Sequence, residues 1–120
     1  MNPALWIAAG LLALVALTGG FTKTFIPKER LATMHGGEWT AGFRADAIRA
    51  LGALELLAAV GLVLPEALGI APVMVPVTAT CWMALMVGAM VAHGRLGQRK
   101  LVALNATYLA VALFIAVGRF

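Results

Sequence analysis

Glu55 is the residue of this sequence whose type and position most clearly indicate a functional role. The carboxylate lies near the middle of the otherwise apolar run 47–64, which is long enough to cross a bilayer. A charge at the centre of a spanning helix costs about 2.5–3.5 kcal/mol on insertion scales, so it is usually compensated by a polar partner or a water-filled cavity. We therefore expect Glu55 to mark the functional interior of a helix bundle.

The best partner for Glu55 is expected on another helix. Arg49 precedes it by six positions, about 120° round a helix, so direct pairing is poor. The candidates are Lys23 and Asn105, which belong to other predicted helices. Gly52 lies three positions before Glu55 on the same face of the helix, and its lack of a side chain leaves room for one of these partners or for a ligand. Alternatively, Glu55 is protonated and only joins two helices, with no ligand.

The depth of each residue in the membrane predicts that these polar residues lie in the same half of the bundle. Glu55 lies about 12 Å beyond Ala47 at 1.5 Å per residue, near the middle of the hydrocarbon core. Lys23 ends the first apolar run, His93 ends the third, and Asn105 lies one turn into the fourth. The sequence thus predicts a ligand-binding or purely structural polar cluster of Lys23, Arg49, Gly52, Glu55, His93 and Asn105.

The elements that must position this cluster follow from composition. Hydrophobic residues make up 62% of the 120, charged residues 12%, and the mean hydropathy is +0.97, whereas soluble domains have about 25% charged residues. We expect one integral membrane domain over residues 1–120, an all-α up-down bundle. Its four spanning helices are predicted at about 3–22, 47–64, 70–92 and 101–118.

The segment 22–46 between the first two helices is amphipathic. Aromatic residues such as Phe25 and Trp39 alternate with charged residues such as Lys28 and Glu38. Such a segment is expected to lie along the membrane interface, with Trp39 at headgroup depth. The alternative is that it folds over the bundle as a lid.

The basic residues predict the orientation. The first and third connections hold seven cations, against Arg119 alone on the other side: Lys23, Lys28, Arg30, Arg44, Arg95, Arg99 and Lys100. The positive-inside rule then predicts that their side is cytoplasmic and that both termini lie outside. Because topology and contact with anionic lipid explain the positive charge, no nucleic-acid partner is expected.

Two other kinds of site are not expected. Cys81 is the single cysteine, so a thiol relay built on C-x-x-C is excluded. His35 and His93 lack the spacing of metal ligands, and no metal site is predicted.

The small residues Ala84 and Gly88 recur at helical spacing, which favours close packing within the bundle or with a second copy.

The run Arg49-Ala-Leu-Gly-Ala-Leu-Glu55, continued by apolar residues to Pro65, resembles the second-helix signature of the DoxX-like small membrane proteins. The run 88–95, which contains His93, and Gly20 with Lys23 are similar to the ends of that family's third and first helices. The resemblance implies a four-helix bundle of the bacterial inner membrane. It also implies that Lys23, Gly52, Glu55 and His93 are the matching positions. The family takes its name from a subunit associated with a terminal quinol oxidase, and its members also resemble partners in redox-stress complexes and, more distantly, eukaryotic membrane chaperones.

Two functions are compatible with these residues. The first is a non-enzymatic binding or assembly module that holds a lipid, a quinone or a partner helix, with Glu55 as polar anchor. The alternative is a membrane subunit of a quinone-linked oxidoreductase, in which Glu55 or His93 exchanges protons with the quinone. No flavin, haem or quinone fingerprint is visible, so no cofactor is assigned, and quinone is the one considered. Membrane lipids, another membrane protein or a second copy are the partners considered, and a small transporter is a weaker third function because no inverted repeat is visible.

Overall fold

The computed structural model describes residues 3–34 and 37–119, without the side chains of Glu38 and Ala41. His35 therefore lies outside the described residues. Within them the chain is helical and contains no strand. Its elements in chain order are α1 (Pro3–Phe25), α2 (Lys28–Leu31), a 3-10 turn (Glu38–Gly42), α3 (Ala45–Leu68), α4 (Met74–Arg95) and α5 (Arg99–Arg119).

Four of the described helices are long and apolar enough to cross a membrane: α1, α3, α4 and α5. The mean hydropathy of their best windows is between 1.8 and 2.1. Many of their large apolar side chains are exposed, among them Leu14, Leu57 and Val87, as expected for surfaces that face lipid rather than water. The predicted all-α four-helix architecture is confirmed.

The end of α3 differs from the prediction, which stopped the helix at Leu64. The helix continues through Pro65 to Leu68 and ends where Gly69 takes a left-handed conformation with φ of 66°. The Ile70 N–H then donates to the Pro65 carbonyl, a common way to satisfy the last carbonyls of a helix. Glycine, which tolerates positive φ, therefore ends the helix rather than proline. The start of α4 at Met74 is correspondingly later than the predicted 70.

The helices pack as two tight antiparallel pairs, α1 with α3 and α4 with α5. The pairs meet through α3 with α4 and α1 with α5. At the α1–α3 crossing, a Cβ on Gly20 would lie 2.8 Å from the Gly52 carbonyl oxygen, and one on Gly52 would lie 2.7 Å from the Thr24 nitrogen. The two glycines thus allow backbone contact between the helices.

The core lies where the two pairs face each other, and its buried residues include Leu12, Leu62, Trp82 and Ile115. We call the end of the bundle where α1 ends and α5 begins the basic end. Its connections and the adjoining helix ends carry Lys28, Arg30, Arg44, Arg95, Arg99 and Lys100.

At the opposite end, Arg119 joins α5 to α3 and α1. Its guanidinium lies 3.3 Å from a Glu66 carboxylate oxygen and 5.4 Å from the centre of the Trp6 ring. These contacts of Arg119 were not predicted from the sequence. Three helix ends are thereby held together by one side chain.

The connection between α1 and α3 folds against the basic end. Leu31 and Thr40 are buried, and the Thr40 hydroxyl donates to the Gly37 carbonyl. The Lys28 ammonium donates to the Phe43 carbonyl. The same connection exposes Phe43 and Met34, side chains that suit a headgroup interface. It therefore combines features of both alternatives considered from the sequence.

Candidate functional site

Glu55 and Lys23 form an ion pair between α3 and α1. The Lys23 ammonium donates to both carboxylate oxygens at 3.0 Å, and the Glu55 side chain is only 5% exposed. A carboxylate this deeply buried is stabilised when its charge is matched and its oxygens accept hydrogen bonds. Of the partners considered from the sequence, the structure places Lys23 rather than Asn105 against Glu55.

The absence of a side chain at Gly19 makes room for the ion pair. A Cβ at this position would lie 3.0 Å from Glu55 Oε2 and 3.3 Å from Lys23 Nζ. Sequence reasoning missed Gly19, although it lies four positions before Lys23 and hence on the same face of a helix. Lys23 is also covered from the connection by Trp39, whose ring centre is 5.7 Å from the ammonium, a cation–π distance.

The ion pair lines a cavity of about 430 Å³ towards the basic end of the bundle. All four long helices and the 3-10 turn with Phe43 after it contribute to the walls. Nine of the lining residues are aliphatic or small: Val15, Gly19, Leu51, Ala84, Leu85, Met86, Gly88, Ala89 and Ala92. The polar and aromatic lining residues are Lys23, Glu55, Trp39, Phe43, Trp82, His93, Asn105 and Tyr108.

His93 and Asn105 reach the same cavity from α4 and α5. His93 Nδ1 lies 2.6 Å from Gln98 Oε1, which orients the imidazole. The Asn105 amide donates to the Leu101 carbonyl at 2.9 Å, one turn back along α5. Both side chains are half-buried. Neither forms a direct hydrogen bond to the ion pair.

The two remaining predicted residues stand apart. Gly52 lies at the α1–α3 crossing against Thr24 and does not line the cavity. Its part is to bring Lys23 within reach of Glu55. Arg49 is exposed and lies outside the cavity. The structure thus brings Lys23, Glu55, His93 and Asn105 around one space and leaves Arg49 out of it.

Trp82 and Trp39 are cavity residues that sequence reasoning missed. Trp82 is 3% exposed, and its indole N–H has no hydrogen-bond partner among residues 3–34 and 37–119. A usable signal was its position in the middle of a span, since spanning helices place tryptophan mainly at the interfaces. Tyr108, half-buried on α5, adds a hydroxyl to the same walls.

The arrangement suits binding of an amphipathic molecule. Lys23, Trp82, Asn105 and Tyr108 carry hydrogen-bond donors, while the apolar walls suit a hydrocarbon body. Across the described part of the chain, no group of three His, Cys, Asp or Glu side chains is placed to hold a metal ion.

Comparison with known proteins gives a family and no individual relative. The model of the DoxX-like family matches residues 7–115, a range that contains the ion pair and most of all four long helices. No curated protein and no solved structure matches the chain. The protein is therefore a small multi-pass membrane protein that belongs to the DoxX-like family.

Proposed function

We propose that this protein is a non-enzymatic binding protein of the bacterial inner membrane. Its cavity holds the polar head of a neutral amphipathic molecule of the quinone class. The observation that carries the proposal is a cavity with apolar walls and one buried, charge-matched ion pair, Lys23 with Glu55.

The size of the cavity favours a small molecule over a partner helix. Ligand sites of about 300–1,000 Å³ are typical for small molecules, and this one measures about 430 Å³. A spanning helix about 10 Å across and 30 Å long occupies about 2,400 Å³. Of the three ligands considered from the sequence, a partner helix therefore fits least well inside the bundle.

The charge balance of the site favours a neutral head over an anionic one. Glu55 already neutralises Lys23, so a phosphate would bring a second negative charge close to a buried carboxylate. A quinone carbonyl accepts hydrogen bonds without carrying charge. The Trp82 N–H, which has no partner within the described residues, is a donor available to it.

A subunit of a quinone-linked oxidoreductase remains the second candidate, supported by His93. The imidazole lines the same cavity, and a histidine ring has nitrogens that can donate or accept a hydrogen bond. Electrons would then have to come from another subunit, whereas the binding function requires only this chain.

Co-purification tests the proposal. The protein is extracted in mild detergent, and retained quinones and phospholipids are identified by mass spectrometry. The same measurement is made on Glu55→Gln and on the control Glu66→Gln, which changes the carboxylate paired with Arg119 away from the cavity. We expect a quinone in the wild type and in Glu66→Gln that is lost in Glu55→Gln.

Three results would count against it. Retention of phospholipid alone indicates a lipid site, and equal retention of a quinone by both variants removes Glu55 from the site. Absence of both ligands, with another membrane protein co-purifying, points to an assembly role.

A further inference from the structure

We infer that the ligand enters the cavity sideways from the lipid phase, through a gap between α3 and α4 bordered by Ala84 and Gly88. This inference rests on the proposed binding function and narrows its ligand class. The ligand is dissolved in the membrane, and its apolar tail lies in the gap while its polar head reaches the ion pair.

The two helices touch in the half of the bundle away from the basic end. A Cβ on Gly61 of α3 would lie 2.5 Å from the Thr78 hydroxyl oxygen of α4. Because only a glycine permits this approach, the position marks a close crossing. It also identifies the face of each helix that points towards the other.

On α3, the face that points towards α4 is no longer covered by α4 in the half of the helix nearer the basic end. Leu57 and Leu54 lie within about 40° of Gly61 around the helix at 100° per residue, so they point in the direction of α4. They are nevertheless 68% and 62% exposed. At this level α4 no longer covers the surface of α3.

On α4, the corresponding face lines the cavity. Leu85 and Ala92 lie within about 40° of Thr78 around the helix, yet they are cavity residues. Ala84 and Gly88, about 80–120° from Thr78, also line the cavity and are exposed. Among the described residues, a Cβ on Gly88 would meet no atom within 4 Å beyond the neighbouring backbone of α4. The space therefore continues from the interior of the bundle to its outer surface.

At the basic end, the connection between α1 and α3 covers the path from water to the ion pair. The Trp39 ring lies over the Lys23 ammonium, and Thr40 beside it is 1% exposed. The 3-10 turn that carries both residues thus covers the ion pair from the basic end, whereas Ala84 and Gly88 are exposed on the side towards lipid. The buried indole N–H of Trp82, which has no hydrogen-bond partner in the described part of the chain, belongs to the same cavity and gives an entering polar head a donor to bind.

Binding kinetics in lipid nanodiscs test the route. The probe is decylubiquinone, which quenches tryptophan fluorescence, and the background is Trp6→Phe, so that both remaining tryptophans, Trp39 and Trp82, line the cavity. Gly88→Leu and Ala84→Leu narrow the gap. Gly10→Leu is the matched control, since Gly10 is a helical glycine on α1 with equally open surroundings and lies outside the cavity.

We expect Gly88→Leu and Ala84→Leu to lower the association rate constant several-fold, because a narrower path slows entry. The dissociation rate constant is measured separately, since the same side chains lie beside the tail of the bound ligand and also affect how long it stays bound. Gly10→Leu should leave both rates at the wild-type value. Size exclusion of each variant reports whether it is folded and whether its oligomeric state has changed.

Four outcomes would overturn the inference. If both narrowed variants associate with the probe at the wild-type rate, the gap is not the entry route, although the binding function is unaffected by this result. A faster dissociation alone makes these residues part of the binding site and not of the path. A changed oligomeric state makes the surface an interface with a second copy. No quenching in the background protein refutes the binding of a quinone and the route together.

Discussion

Lys23 and Glu55 are separated by 32 positions in the sequence, yet the Lys23 ammonium lies 3.0 Å from both carboxylate oxygens of Glu55. The contact depends on the α1–α3 crossing, where Gly20 and Gly52 let the two backbones touch. It also depends on Gly19, which leaves space for the carboxylate. Three glycines thus position one ion pair inside a hydrocarbon environment.

The ion pair predicts a recovery of stability in a double mutant. Lys23→Met leaves an unmatched buried carboxylate and should destabilise the protein by up to about 3–5 kcal/mol. Adding Glu55→Met removes the charge as well, and replacement of a buried pair by apolar residues is often neutral. Thermal unfolding in detergent should therefore show the double variant closer to the wild type than Lys23→Met. A double variant as unstable as the sum of the single variants would contradict this account.

The close contacts around Gly19 predict that substitutions at Gly19 and at Gly10, two glycines of α1, differ in their effect on stability and ligand binding. Gly19→Val should separate Lys23 from Glu55, because its side chain occupies the position of the carboxylate. We expect lower thermal stability and loss of the co-purifying ligand. Gly10→Val is the control, since a Cβ at Gly10 meets nothing within 4 Å. Equal losses in the two variants would mean that the effect comes from helix propensity and not from the site.

The α1–α3 crossing predicts a large effect of a single methyl group. In Gly20→Ala, the new Cβ would lie 2.8 Å from the Gly52 carbonyl oxygen and 2.9 Å from the Leu56 nitrogen. Backbone atoms cannot move aside as a flexible side chain can, so we expect a loss of about 1–3 kcal/mol, the usual range for overpacking. Chemical denaturation in detergent measures it. Gly88→Ala, with open space at its Cβ, should unfold like the wild type, and a stable Gly20→Ala would refute the close crossing.

The distribution of basic residues predicts the orientation in cells. In a Cys81→Ser background, a cysteine at Ile70 should react with a membrane-impermeant maleimide in spheroplasts, whereas one at Thr33 should react only after permeabilisation. Both positions are exposed in connections at opposite ends of the bundle, and the positive-inside rule makes the basic end cytoplasmic. The reverse labelling pattern would place both termini in the cytoplasm.

The sequence by itself was sufficient for the four spanning helices and the family. Lipid offers no hydrogen bonds to the backbone, so an apolar run of the right length must form a helix there. Depth along each helix follows from residue number, which is why Lys23, His93 and Asn105 were expected at the level of one end. The exact ends were less predictable, as α3 continues past Pro65 to Gly69.

Only the tertiary structure decided which side chains meet. The contacts depend on how far neighbouring helices approach and rotate, and this is set by packing at particular glycines rather than by hydropathy. That packing pairs Glu55 with Lys23 and leaves Arg49 exposed. It also leaves Ala84 and Gly88, two small residues of the cavity wall, exposed at the surface of α4.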